Sequence, residues 1–185
     1  TNQIYSMPKY IAFLRAINVG GHTVKMDHLK NLFEKMGFEN VQTFIASGNV
    51  VFDTKSKSVT VIKKKIETEL NKQLGYEVAT FIRTTMELKD IFEYKPFKES
   101  ELINPNNNLY IGFLDSVPSE ENQRKVFAMQ DSANEFLFNN NELYWLCRKN
   151  FSDSGFDGKK LEKALEMQTT IRNSTTIRKM VDKFC

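Results

Sequence analysis

The segment YIAFLRAI at residues 10–17 returns as YIGFLDSV at residues 110–117, with Tyr, Ile, Phe and Leu at matching positions. Two further blocks repeat in the same order: FIASGNVVF (44–52) as FLFNNNELY (136–144), and TFIRTT (80–85) as TTIRNS (169–174). The offset falls from 100 to 92 to 89 residues, so the second copy carries the same strands on shorter connections. A repeat of this length is a duplicated domain and not a solenoid unit. Two copies fit a chain of 185 residues at the size of small domains.

Hydrophobic periodicity gives each copy the same order. Residues 10–17 are apolar on both alternating sets, which predicts a strand covered on both faces. Met26, Leu29, Leu32, Phe33 and Met36 are spaced for a helix that Gly37 stops. Residues 41–46 and 50–53 read as strands joined at Ser47-Gly48-Asn49, a turn suited to a tight hairpin. A helix at 59–74 with Val59, Ile62, Ile66, Leu70 and Leu74 inward precedes a strand at 77–83, and Thr84 with Glu87 has capping-box spacing for the next helix. The second copy reads as strand 109–114, helix 119–131, a hairpin over 135–147 turning at Asn139-Asn140-Asn141, helix 159–166, strand 169–172 and helix 175–184.

The reading is therefore α+β: two tandem ferredoxin-like (βαββαβ) repeats, each followed by an extra helix. Residues 7–98 form the first repeat, 99–108 a linker marked by Pro105 and an Asn run, and 109–185 the second. Residues 1–6 are left out of the fold argument ahead of Met7.

Composition narrows the function classes. No apolar run approaches the roughly 18–20 residues of a membrane span. The N-terminal stretch lacks a basic region followed by an apolar one, so neither a membrane nor a secretory leader is expected. Cys147 and Cys185 are too few and too scattered for a disulfide framework, and with two histidines they make no metal site at familiar spacing. A cytoplasmic protein is expected. The net charge of +3 is uneven: +5 over residues 1–86, −6 over 87–142 and +4 over 143–185, which could draw an anionic partner to the chain ends.

Two motifs could carry chemistry. Arg15, Asn18, Gly20 and Gly21 leave the first strand toward a helix start, where backbone donors and the helix dipole both favour an anion; a plain strand-to-helix turn has the same look. Arg83-Thr84-Thr85 and Arg172-Asn173-Ser174-Thr175-Thr176 are repeat equivalents, each placing an arginine before hydroxyl residues at a helix start; capping alone would also explain them. Ser47 lacks a nucleophile-elbow context, and the loop at 152–158 lacks calcium-loop spacing and reads as mobile.

RAINVGG, FIASGNVVF and TTIRNSTTI together resemble the signature blocks of the domain of unknown function 1697 family, mainly bacterial and uncharacterised, from about Lys9 to Lys183. The resemblance implies a pair of ferredoxin-like subdomains and no established activity. Its motif positions fall on Arg15, Asn18, Gly20 and Gly21, on Ser47, Gly48 and Asn49, and on Arg172, Asn173 and Thr176. Members commonly carry Gly in place of Ala16 and Trp in place of Ser174, so a close backbone approach or a stacking contact there does not carry over.

The expected function is binding of an anionic, phosphate-bearing ligand, a nucleotide or nucleic acid, between the two repeats. The expected ligand-binding residues are Arg15, Asn18, Gly20, Gly21, Asn49, Arg172, Asn173 and Thr176, with no catalytic residue assigned. Because the fourth strand runs antiparallel beside the first, Asn18 and Arg83 lie at opposite ends of one sheet, so the Asn18 loop would have to meet Arg172 across the repeats. One alternative is a small-molecule enzyme with Arg15 and Arg172 as electrostatic stabilisers and His22 as general acid or base. The other is a protein-interaction module. Against RNA, the third strands offer only Phe52, Tyr144 and Trp145 for stacking.

Overall fold

The computed structural model describes residues 7–45 and 48–185; Ser47 of the expected turn lies outside the described residues. The chain divides into two compact units, one ending at Glu87 and the other running Leu88–Cys185. The stretch 88–98, read above with the first repeat, and 99–108, read as linker, thus group with the second unit. No helix among the described residues is long and apolar enough to cross a membrane.

In the first unit β1 (Lys9–Leu14) is followed by α1 (Met26–Lys35), β2 (Glu39–Thr43), β3 (Asn49–Asp53), α2 (Val59–Leu74) and β4 (Thr80–Thr84), after which α3 (Thr85–Glu93) begins. The strands pair antiparallel in the order β2-β3-β1-β4. Alternation along β1 sends Tyr10, Ala12 and Leu14 to the face where Leu29, Leu32 and Phe33 of α1 and Ile62, Ile66 and Leu70 of α2 close the core. Each buried Leu, Ile or Phe side chain contributes roughly 1.5–3 kcal/mol. The other set, Ile11, Phe13, Val51 and Phe81, is buried as well. Val59, expected inward, is exposed because it is the first residue of α2, before the helix meets the sheet.

The second unit contains a short helix α4 (Glu99–Leu102), then β5 (Asn108–Phe113), α5 (Glu120–Phe127), β6 (Asn134–Asn139), β7 (Glu142–Cys147), α6 (Gly158–Leu165), β8 (Thr170–Asn173) and α7 (Ser174–Phe184). Its sheet order, β6-β7-β5-β8, matches that of the first unit strand for strand. The register agrees too: Ile11 lies opposite Arg83, and Ile111 opposite Arg172. Tyr10 stacks on Phe52 across strands, and Tyr110 on Trp145. Leu114, Leu143, Trp145 and Cys147 pack with Val126 of α5 and Leu161 and Leu165 of α6 on one face.

α5 ends at Phe127, short of the expected 131, because Asp131 turns its carboxylate onto the N–H groups of Ala133 and Asn134, both at 2.8 Å. The loop at 152–158 is packed down and not loose. Phe156 stacks on Trp145 with ring centroids 4.0 Å apart, and the Asn134 side-chain amide donates to the Ser154 carbonyl at 2.7 Å.

Candidate functional site

The expected site residues fall into two groups. Arg15, Asn18, Gly20, Gly21 and Asn49 belong to the first unit, and Arg172, Asn173 and Thr176 to the second. Within the first unit, Leu14 pairs with Thr80 and Tyr10 with Thr84, so the loop after β1 and the arginine before α3 do sit at opposite ends of the sheet.

The loop after β1 is held by its own groups and by the segment between α2 and β4. The Asn18 side-chain oxygen accepts the Val24 N–H at 2.7 Å, the His22 N–H donates to the Val19 carbonyl at 3.2 Å, and the Arg15 N–H donates to the Ala79 carbonyl at 2.9 Å. The His22 ring stacks on Tyr76 at 3.8 Å. Gly20 and Gly21 take positive φ, and so does Ala16 at 55°, in the place where the resemblance leads one to expect Gly. Asn49 is fully buried, and its amide donates to the Phe44 carbonyl at 2.9 Å while its own carbonyl accepts the Phe44 N–H. Its side chain thus ties the two ends of the hairpin loop together. The hairpin is also wider than the tight turn expected, since β2 already ends at Thr43.

Arg83 and Arg172 are both buried, and each donates to the carbonyl of the preceding residue, Ile82 at 2.9 Å and Ile171 at 3.1 Å. Arg172 also donates to Thr170 Oγ1 at 2.7 Å, and burial pushes its guanidinium down to about 10. The helix starts that follow differ. At α3 the capping box forms: the Thr84 N–H donates to Glu87 Oε2 at 2.7 Å and the Glu87 N–H to Thr84 Oγ1 at 3.1 Å. At α7 Asn173 caps alone, its side-chain oxygen accepting the Thr175 N–H at 2.8 Å, and the place of Glu87 is taken by Thr176. The first helix start thus holds a carboxylate of its own and the second does not.

The start of α7 opens on a cavity of about 200 Å³ that sequence reasoning missed. Its floor is the sheet face opposite α5 and α6, where Leu109 and Ile111 of β5 stand beside Leu146 and Tyr144 of β7. Phe92 of α3, Tyr94 just after it and Leu102 of α4 line it, and Lys95, Asn107, Asn108, Asn173, Ser174 and Thr175 supply its polar groups. Tyr144 is fully buried and donates its phenol to the Ile91 carbonyl at 2.8 Å. Burial, together with Glu142 and Tyr94, raises that phenol well above the usual tyrosine range.

The single carboxylate among the described lining residues, Glu101, is held by Arg148, whose Nε and Nη2 both reach it at 3.0–3.2 Å. The Asn107 amide adds a third donor at 2.7 Å. These bonds, led by Arg148, hold the Glu101 carboxyl below its ordinary range. The Lys95 ammonium lies over the Phe92 ring, 4.8 Å from the centroid. Arg172 is not among the lining residues. No group of three or more metal-ligating side chains occurs among the described residues. The aromatic residues of the third strands, Phe52, Tyr144 and Trp145, are all buried. The sequence held one clue to the cavity, the aromatic and basic run Phe92-Glu93-Tyr94-Lys95 next to a supposed linker.

The family model described as "Protein of unknown function (DUF1697)" matches residues 7–144. No curated protein matches. Among solved structures, the conserved bacterial protein SP0830 from Streptococcus pneumoniae superposes with a TM-score of 0.76 at 20% identity, over 96% of this chain and 98% of that one. At that identity the likeness shows a shared fold.

Proposed function

Starting from a chain that belongs to the DUF1697 family of proteins of unknown function, we propose that it binds a small phosphate-bearing anion in the cavity of the second unit. The observation that carries this reading is the cavity itself: it joins the start of α7 to Lys95 in a place where the one carboxylate among the described lining residues is held by Arg148, which Glu135 shares. The N–H groups of a helix's first turn lack intrahelical partners and attract negative charge. At α3 the Glu87 carboxylate lies at the helix start, taking the N–H of Thr84, whereas the equivalent residue of α7, Thr176, brings no negative charge.

Binding is favoured over acid–base catalysis because the described lining residues include neither histidine nor cysteine, Glu101 is held by Arg148, and the Tyr144 phenol is already a donor to Ile91. A small ligand is favoured over a single-stranded nucleic acid because the sheet aromatics that would stack bases are buried. We further infer that the two units are copies of one ferredoxin-like repeat. Support comes from their common element order, their common sheet order and the matching registers of Ile11 with Arg83 and Ile111 with Arg172.

The test is Thr176→Glu, which gives α7 the internal carboxylate that α3 has. Calorimetric titration with inorganic phosphate should show saturable binding to the parent and none to this variant, while its melting temperature stays level or rises. Equal phosphate binding by both proteins would contradict the proposed site.

A further inference from the structure

Residues 54–66 contain five lysines, Lys55, Lys57, Lys63, Lys64 and Lys65, and no acidic residue. α2 turns Ile62, Ile66 and Leu70 into the core, which leaves Val61, Lys64, Lys65 and Thr68 exposed on its outer side. With Lys35 and Met36 at the end of α1 they line a groove of about 590 Å³. Lysines beside the groove are answered within their own helices, Lys30 by Glu34 at 3.8 Å and Lys63 by Glu67 at 3.6 Å. Those lining it are placed differently. Lys35 has Asn31 one turn back, and Lys64 has Thr60 and Thr68 at four-residue spacing. The Lys65 ammonium lies over the Phe38 ring, 5.4 Å from the centroid, while Glu69, four residues on, accepts from the Gln73 amide at 2.8 Å. Three ammonium groups around one concavity focus a positive potential and favour an acidic partner.

The rest of the lining selects the class of that partner. Val61 is 59% exposed. A single exposed valine is ordinary on an open surface, but within a groove among lysines it offers an apolar contact that a phosphate backbone has nothing to place upon. A flat lipid surface would bridge the rim and leave the groove unfilled, and Glu69 in the lining repels phosphate from either source.

We propose that the groove between α1 and α2 docks an acidic segment of a partner protein, with an apolar side chain of that segment against Val61 and its carboxylates on Lys35, Lys64 and Lys65. The groove belongs to the first unit, so this interaction is independent of the anion site.

Random peptides of about twelve residues, displayed on phage, are selected on the immobilised full chain, and the most enriched one is synthesised and titrated by fluorescence anisotropy. Enrichment of Asp and Glu around a Leu, Ile or Phe is expected. The affinity of that peptide should fall at least about tenfold in Lys64→Glu, where like charges meet, and at least about threefold in Val61→Ser, which removes apolar area. Both positions are exposed, so the melting temperatures should stay level. Lys179→Glu on α7 makes the same change of net charge elsewhere and should leave the affinity unchanged. Equal weakening in Lys64→Glu and Lys179→Glu would mean attraction by overall charge and overturn the groove. Selection without acidic enrichment, or binding indifferent to Val61→Ser, would overturn the stated chemistry. A DNA duplex of about twenty base pairs, or a phosphatidylserine vesicle, that binds more tightly than the peptide and weakens in Lys64→Glu but not in Val61→Ser would also overturn it, assigning the groove to phosphate.

Discussion

The fully buried phenol of Tyr144 on β7 donates to the carbonyl of Ile91 in the last turn of α3 at 2.8 Å. A helix leaves its last four carbonyls without intrahelical donors, and this bond supplies one of them from a residue 53 positions away. It ties the segment carrying Phe92, Tyr94 and Lys95 to the sheet face that forms the cavity floor.

Tyr144→Phe removes the donor and leaves the carbonyl buried. The expected loss is about 1–3 kcal/mol, read as a lower urea midpoint with an unchanged slope. Because burial raises the folded-state pKa of the phenol, its contribution is fully present below the unfolded value near 10. It is lost as pH rises beyond that, when the unfolded state releases a proton that the folded state keeps. The parent should therefore lose stability above about pH 10, more steeply than Tyr144→Phe.

Glu101 predicts the opposite limb. Its carboxyl is lowered chiefly by the hydrogen bond from Arg148, so its contribution is present above the ordinary carboxylate pKa and fades as pH falls through the depressed one. In Glu101→Gln, thermal melts between neutral and acid pH should lose part of the parent's acid dependence. An identical slope in both proteins would mean that the Arg148 pair adds nothing to the fold.

Ala16 has φ of 55°. An L residue in that region costs roughly 1–2 kcal/mol, while glycine loses about 0.5–1 kcal/mol through the freedom of its unfolded state. Ala16→Gly should thus be neutral or stabilising by up to about 1 kcal/mol, a rise in melting temperature of up to about 4 °C for a chain of this length.

Gly48 predicts the reverse. It has φ of 79°, and a Cβ there would lie 2.7 Å from Ile17 Cγ2 and 3.1 Å from Leu14 Cβ. Gly48→Ala adds the left-handed penalty of roughly 1–2 kcal/mol to an overpacking cost of roughly 1–3 kcal/mol. Denaturant unfolding should show a loss of roughly 2–5 kcal/mol from these two terms, and a loss under 1 kcal/mol would refute the close approach.

The strands were legible because period-two and repeated apolar blocks survive in local sequence: the blocks beginning at Tyr10 and Tyr110 became β1 and β5. Thr84 and Glu87 announced their capping box through spacing alone. What stayed hidden depends on contacts distant in sequence. Residues 99–108 read as a linker from Pro105 and their asparagines, yet Glu101 reaches Arg148, 47 positions on, and Asn107 reaches Glu101. Asn18 and Asn49 read as ligand groups from sequence, and the structure shows that both also hold their own loops. Those partners, the Val24 N–H and the Phe44 carbonyl, are six and five residues away and no spacing rule announces them. Asn173 and Thr176 were legible as a helix start, but not the cavity beside it.

The central claim is that the start of α7 and its cavity form the anion site. A two-dimensional ¹H–¹⁵N titration of the uniformly labelled chain with inorganic phosphate tests it residue by residue. The account predicts saturable shifts concentrated on the amides of Ser174, Thr175 and Thr176, with smaller ones at Asn107 and Asn108. Shifts confined to the Gly20–Gly21 loop, or no saturable shift at any residue, would contradict it.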